Sequence, residues 1–314
     1  TGVLEMGVFD ATTNVFNQNS GVLTLQNNAS IGFGQGGNHS GTSTFNQNGG
    51  TVTFYSDAGT TVGGTGSVIL GNGGSTGTYV YNLNGGTLTT PGVQKTAASA
   101  SGTFNFNGGT LKAAANNTSF LQNLTAANVR NGGAIIDTAG FNVTAASPLQ
   151  HSAISGDNPT DGGLTKNGAG VLTLAGINTY TGDTLVNAGT LALADNAGMA
   201  FVVGSAGVNS KMIGSGTANL DGDFTFDLSG ASTTPGASWT IVNVGTLTET
   251  FGPTFTVNAF TDAGNNIWTK SINGTYHYQF SETTGVLQVV PEPAMALMLL
   301  TALGMLPAFR RRAA

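Results

Sequence analysis

One phrase returns through the first third of the chain and limits what the chain can fold into. FNQNSGVLTL begins at Phe16, FNQNGGTVTF at Phe45, YNLNGGTLTT at Tyr81 and FNFNGGTLKA at Phe104. In the last of these, Phe104 and Phe106 alternate with Asn105 and Asn107, which puts the rings on one face of a strand. Asn107, Gly108 and Gly109 then tolerate the positive φ that a tight corner needs. Beyond the corner Leu111 and Ala113 point inward, Thr110 and Lys112 outward. Each unit reads as strand, corner, strand with one apolar face. The pentapeptide GVLTL occurs at Gly21 and again, letter for letter, at Gly170, with looser echoes at Ala188, Ser215 and Thr284. The expected core is the repeated inward set Leu23, Val52, Leu88, Leu111, Leu172 and Leu191.

Two architectures use such a unit. Asn-Gly between alternating strands is a strong hairpin signal, which leads to a β-sandwich or meander. Alternatively each unit is a rung of a parallel β-solenoid, with aromatic and leucine rows stacked into a continuous core. The phrases start 29, 36 and 23 residues apart, irregular for an ideal solenoid but compatible with loops of variable length. The expected fold is all-β, a parallel β-helix over residues 1–200. From 201 to 290 the texture turns aromatic, with Trp239, Phe251, Phe255, Phe260, Trp268, Tyr276, Tyr278 and Phe280. This reads as a β-rich end region covering the last open solenoid edge, since an uncovered edge invites aggregation; a separate small β-sandwich is the alternative.

Composition narrows the function classes. Charged residues are 8% of the chain, against roughly 25% in an average soluble domain. The absence of cysteine removes thiol catalysis, disulfides and Cys-based zinc sites. Residues 1–290 hold six basic and fourteen acidic groups, and such a body has no footprint for nucleic acid. The chain opens at Thr1 without an apolar leader, so either a signal peptide has been removed or the sequence is a fragment.

Residues 162–193 carry LTKNGAGVLTL at Leu164, NTYTGDTLV at Asn178 and NAGTLAL at Asn187. This segment resembles the autotransporter-associated β-strand repeat of bacterial surface proteins, and NGGAIIDTAGFNV at Asn131 looks like the strand pair that often precedes it. The resemblance implies a right-handed β-helix that presents a surface and is not itself catalytic. Lys166, Asn167, Gly168 and Gly170 read as a turn, Val171, Leu172 and Leu174 as strand packing, and Tyr180 and Thr181 as the lead into a second corner at Gly182. Family autotransporters end in a membrane β-barrel; this sequence shows none, which disfavours a conventional passenger and implies another export route.

Residues 291–314 differ from everything before them. Pro291, Glu292 and Pro293 precede sixteen uncharged residues, 294–309, and then Arg310, Arg311 and Arg312. As a helix the uncharged stretch is about 24 Å long, slightly short of the about 20 residues that usually span a bilayer. Arginines directly after it match the positive-inside rule. The ordered trio resembles the PEP-CTERM sorting signal. That resemblance implies export, a transient inner-membrane intermediate, and recognition and removal of the tail by an exosortase-type membrane protease. Pro291, Glu292 and Pro293 would be the processing motif and the three arginines the membrane stop. The prolines remove two backbone donors and keep the motif extended.

Little else carries chemistry. His39, His151 and His277 stand far apart in sequence and are read as surface or turn residues. Asp157 and Asp161 in GDNPTDGG suggest a calcium loop, rejected because Pro159 and Gly168 stand where ligands should be. Asp221, Asp223 and Asp227 alternate along LDGDFTFDL and read as a solvated strand face. No cofactor or metal site is expected. The expected function is a non-enzymatic surface or extracellular-matrix protein, with extracellular polysaccharide as a candidate partner. The alternative is a β-helix that binds or cleaves polysaccharide.

Overall fold

A computed structural model describes residues 2–6, 13–34, 39–245 and 251–292. The repeated phrase forms rungs, and the rungs stack in parallel. Three faces result. The first is a nine-stranded sheet running from Val3–Met6 to Thr217–Leu220, and the third a nine-stranded sheet from Val22–Leu25 to Val242–Asn243. The second is split into six strands, from Thr13–Gln18 to Leu149–His151, and three, from Ile177–Asn178 to Asp223–Asp227. Every strand pairing within these faces is parallel, so the corners are rung corners rather than hairpins.

The uneven spacing of the phrases is the uneven length of the rungs. On the second face Asn46 Nδ2 donates to Asn17 Oδ1 at 2.8 Å, Asn82 to Asn46 at 2.7 Å, Asn105 to Asn82 at 2.7 Å and Asn128 to Asn105 at 2.7 Å. These partners are 29, 36, 23 and 23 residues apart in the chain yet adjacent in space. The longest step is absorbed by a loop around Asp57, whose carboxylate accepts the amides of Gly59, Thr60 and Thr61. A second amide row, Asn19, Asn48, Asn84 and Asn107, follows the adjoining corner.

Inside, the rows are apolar. Phe16, Phe45, Tyr81 and Phe104 stack with centroids 4.7, 4.8 and 5.3 Å apart, close to the spacing of neighbouring strands. The Tyr81 hydroxyl, buried among them, donates to Gln47 Oε1 at 2.7 Å. Phe104, Phe106, Leu111 and Ala113 point inward as the alternation requires. Val52, Leu88, Leu111, Leu172 and Leu191 are buried, whereas Leu23 is only partly so. The expected core set is two rows rather than one. Leu23, Val52, Leu88 and Leu111 are register partners on the third face; Leu172 and Leu191 pair on the first.

The parallel ladders run past residue 200. Gly198–Val202 pairs with Asp223–Asp227, and Met212–Ile213 with Val242–Asn243. The aromatic texture that suggested a boundary at 201 belongs partly to the core of these last rungs, where Phe201, Phe224 and Phe226 meet. Beyond them lies a five-stranded antiparallel sheet ordered Ser238–Thr240, Val286–Pro291, Tyr276–Ser281, Ile267–Ser271, Thr261–Gly264. Its Phe280 packs against Phe224, Phe226, Phe251 and Phe255, and Gly285 O accepts the amides of Ile241 and Val242. The sheet therefore covers the end of the stack, as a cap rather than a separate sandwich. No helix occurs among the described residues. The apolar helix expected over 294–309 lies outside them.

Candidate functional site

The segment most distinctive in sequence, 162–193, is also where charge enters the core. Leu164, Thr165 and Lys166 alternate along the strand Leu164–Asn167, so Lys166 points inward with Leu164. It occupies the third-face row between Ile136 and Val186, a place held by aliphatic side chains in the rungs before it. Its side chain is fully buried. Nζ donates to Thr138 Oγ1 at 3.1 Å, Asn167 O at 2.9 Å, Gly168 O at 2.7 Å and Ala188 O at 3.0 Å. The lysine thus joins three successive rungs. Burial brings its amine down to about 8, opposed by the Asp137 carboxylate. The turn expected at Lys166 is instead the end of a strand, and the period-2 alternation with Leu164 is the sequence signal for its inward position.

Asp161 is the counterpart at the next corner. Its carboxylate accepts the amides of Gly163, Thr181 and Gly182 at 2.9, 2.7 and 2.9 Å, and the Thr181 hydroxyl at 3.1 Å. His151 Nδ1 stands 2.9 Å from the same carboxylate. Tyr180, also buried, shares a 2.7 Å hydrogen bond with the Thr184 hydroxyl. Asp157 is held differently. Arg130 grips it through Nε and Nη2 at 2.8 and 2.9 Å, and Ser152 Oγ donates at 2.6 Å. The Arg130 bonds hold Asp157 below the usual carboxylate range, and the same bonds raise Arg130. These contacts replace the rejected calcium loop with a structural role for both aspartates.

A cavity of about 440 Å³ opens beside this corner, bordered by Asp161, Thr181, Asp183, Val202, Val208 and Asn209. Several of its polar groups are bonded to the fold itself. Asp183 Oδ1 accepts the Lys211 amide, and Asn209 Nδ2 donates to Ser210 O and Thr240 O, both at 2.7 Å.

The remaining sequence candidates are separated. Asp223 and Asp227 share the outward face of one strand while Phe224 and Phe226 point inward. Four residues of strand put their Cα atoms about 13 Å apart. Asp223 accepts the Thr256 hydroxyl, and the Ser229 amide holds Asp227 below its ordinary value. Asp221 precedes the strand. His39 O accepts the Thr76 amide and the Tyr79 hydroxyl. Among the described residues no three His, Asp or Glu side chains gather to hold a metal ion.

Of the sorting motif, Pro291 ends the cap strand Val286–Pro291, and the Glu292 amide donates to Thr275 O at 2.8 Å. Glu292 Oε2 lies 3.6 Å from His277 Nδ1. Pro293, Arg310, Arg311 and Arg312 lie outside the described residues.

Residues 164–193 match the family model described as the passenger-associated-transport-repeat, within two residues of the segment singled out by sequence. No curated protein and no solved structure matches the chain. The repeat covers five strands, from Leu164–Asn167 to Thr190–Leu193, nearly two rungs of the stack, and together they fit a β-helix protein of the cell surface or one that is secreted.

Proposed function

We propose that this chain is a non-enzymatic β-solenoid of the cell surface or extracellular matrix, delivered through its C-terminal sorting signal. One observation supports the inert body most. The ionisable groups collected around the matched repeat are bonded to the fold itself: Lys166 to corner oxygens, Asp161 to corner amides, Asp157 to Arg130. A catalytic acid or base must instead reach a substrate proton, directly or through one water. What remains outward is a weakly charged lattice of threonine and asparagine, suited to adhesion to hydrated polymer. The Pro291-Glu292-Pro293 motif, the apolar stretch 294–309 and the arginines at 310–312 support an exosortase-type protease as the processing partner, with the inner membrane a transient station.

Incubation with neutral and acidic polysaccharides, with and without calcium, is expected to release no oligosaccharide. Reproducible release abolished by Asp223→Ala would instead establish the polysaccharide-cleaving alternative. Mass spectrometry of surface protein from a host carrying the cognate enzyme is expected to show loss of the tail. An intact chain ending at Ala314 would leave a plain anchor.

A further inference from the structure

The strand Val286–Pro291 is paired along both edges, with Ser238–Thr240 on one side and Tyr276–Ser281 on the other. Its register carries Pro291 opposite Tyr276, and one more backbone bond, from Glu292 N to Thr275 O at 2.8 Å, extends the ladder into the motif. Beyond that bond the Glu292 carboxylate faces a buried imidazole. His277 is 7% exposed, and its Nδ1 has no hydrogen-bond partner among the described residues. Glu292 Oε2 is the acidic oxygen that approaches it, at 3.6 Å. A buried ring nitrogen left unpaired is costly, so a small inward movement of the carboxylate is favourable. Room for it exists. A cavity of about 440 Å³ lies there, bordered by Thr261, Thr269, Lys270, Ser271, His277 and Glu292.

We infer that the cap is an intramolecular receptor for the motif's glutamate, with His277 as positioning residue, and that processing cuts on the C-terminal side of Glu292. The second half rests on the proposed processing. A peptide bond enters a protease site only on an extended chain whose backbone is free of other partners. The backbone up to Glu292 is already bonded into a sheet, and unpairing it would expose the Phe280 side of the cap. Hydrolysis therefore adds water across a bond beyond Glu292, leaving a carboxylate on the capped solenoid and an amine on the departing tail. The enzyme meets a folded cap with the motif at its rim, and Lys270 and the hydroxyls around the cavity belong to the surface it approaches.

Amide hydrogen exchange on the full chain in detergent tests the docking without any enzyme. The Glu292 amide is expected to exchange more slowly than in a free peptide of the same sequence. His277→Ala should accelerate it about tenfold, equivalent to about 1.4 kcal/mol. His277→Gln, which keeps a donor for the carboxylate, should restore protection. If His277→Ala also loosens Tyr278 and Phe280, Glu292→Ala carries the test, because it removes the carboxylate and leaves the imidazole in place. Free-peptide exchange at residue 292 in the unaltered chain overturns the docking. In a processing host, a mature C-terminus that retains Pro291 and Glu292 supports the assigned side of the cut, and one that ends at Pro291 or earlier overturns it. An intact C-terminus overturns the processing reading itself, while the docking still stands or falls on the exchange data.

Discussion

The strands Val22–Leu25 and Val171–Leu174 are spelled alike, VLTL after a glycine, yet they do different work. The first lies on the third face near the start of the stack, where Val22 is 75% exposed and Leu23 only partly covered. The second lies on the first face in mid-stack, with Val143 on one side of Leu172 and Leu191 on the other, and Leu172 is fully buried. Local sequence sets strand and alternation in both. Neighbouring rungs decide what each inward residue buries, and the preceding corner decides the face. The first copy follows the aromatic strand Thr13–Gln18 and its asparagine corner; the second follows Leu164–Asn167 and the caged lysine. Early rungs are held by neutral, repeated contacts in which each amide or ring has a spare neighbour. The matched repeat is held by two single ions, Lys166 within it and Asp161 just before it, which accepts the amides of Thr181 and Gly182.

The largest effect breaks the comparison at its centre. Leu172→Asp places a carboxylate between Val143 and Leu191 with no partner, and should cost more than about 4 kcal/mol and open the stack locally. The same change in the other copy, Leu23→Asp, reaches solvent at a half-covered edge and should cost about 1 kcal/mol. Denaturant midpoints of the two variants measure the difference. Equal losses would mean that local sequence, rather than stacking position, sets the energetics.

Next comes the ionic rung. Lys166→Met keeps the buried stem but leaves Thr138 Oγ1 and three carbonyls without the ammonium, an expected loss of about 2 kcal/mol at pH 7. The lysine also has a pH signature. Its folded value, about 8, lies below its ordinary 10.5, so between those values the unfolded chain binds more protons. Stability therefore rises with pH across that window, by up to about 3 kcal/mol at 1.36 kcal/mol per unit. Tyr81 and Tyr180 run the other way. Burial raises both above 10, the folded chain keeps their protons longer, and stability falls above that pH. The window readable for the amine is pH 8 to 10. The unaltered chain should gain stability across it, and Lys166→Met should stay flat. Equilibrium unfolding at each pH checks both.

The period-2 alternation and Asn-Gly corners made strands, corners and inward residues legible, because each depends on a few adjacent side chains. Phe104, Phe106, Leu111 and Ala113 are instances. Assignment to faces was not legible, since GVLTL has the same local chemistry at either corner. The Lys166 cage was half legible: the alternation points it inward, but its oxygens come from Thr138 and Ala188, 28 and 22 residues away. The pairing of His151 with Asp161, and of His277 with Glu292, depends on corners and cap register that no local pattern encodes.

The smallest effect tests whether the neutral rungs are as redundant as their geometry implies. Asn82 sits in mid-ladder, donating to Asn46 Oδ1 and accepting from Asn105 Nδ2, both at 2.7 Å. Asn82→Ala removes two hydrogen bonds, yet Asn46 and Asn82 are half-buried on an outward face, so water can follow the truncated side chain to Asn46 Oδ1 and to the buried Asn105. A typical net contribution is about 1 kcal/mol per bond when nothing replaces it, and water bridges are nearly as good in enthalpy. The expected loss is therefore about 1 kcal/mol for the pair, with the buried stack of Phe45, Tyr81 and Phe104 undisturbed. Thermal unfolding gives the size, and near-ultraviolet circular dichroism reports on the rings. A loss of about 3 kcal/mol or more would mean that ladder amides cooperate along the stack. The early rungs would then be as dependent on single side chains as the rung built on Lys166, and the contrast between the two regions would disappear.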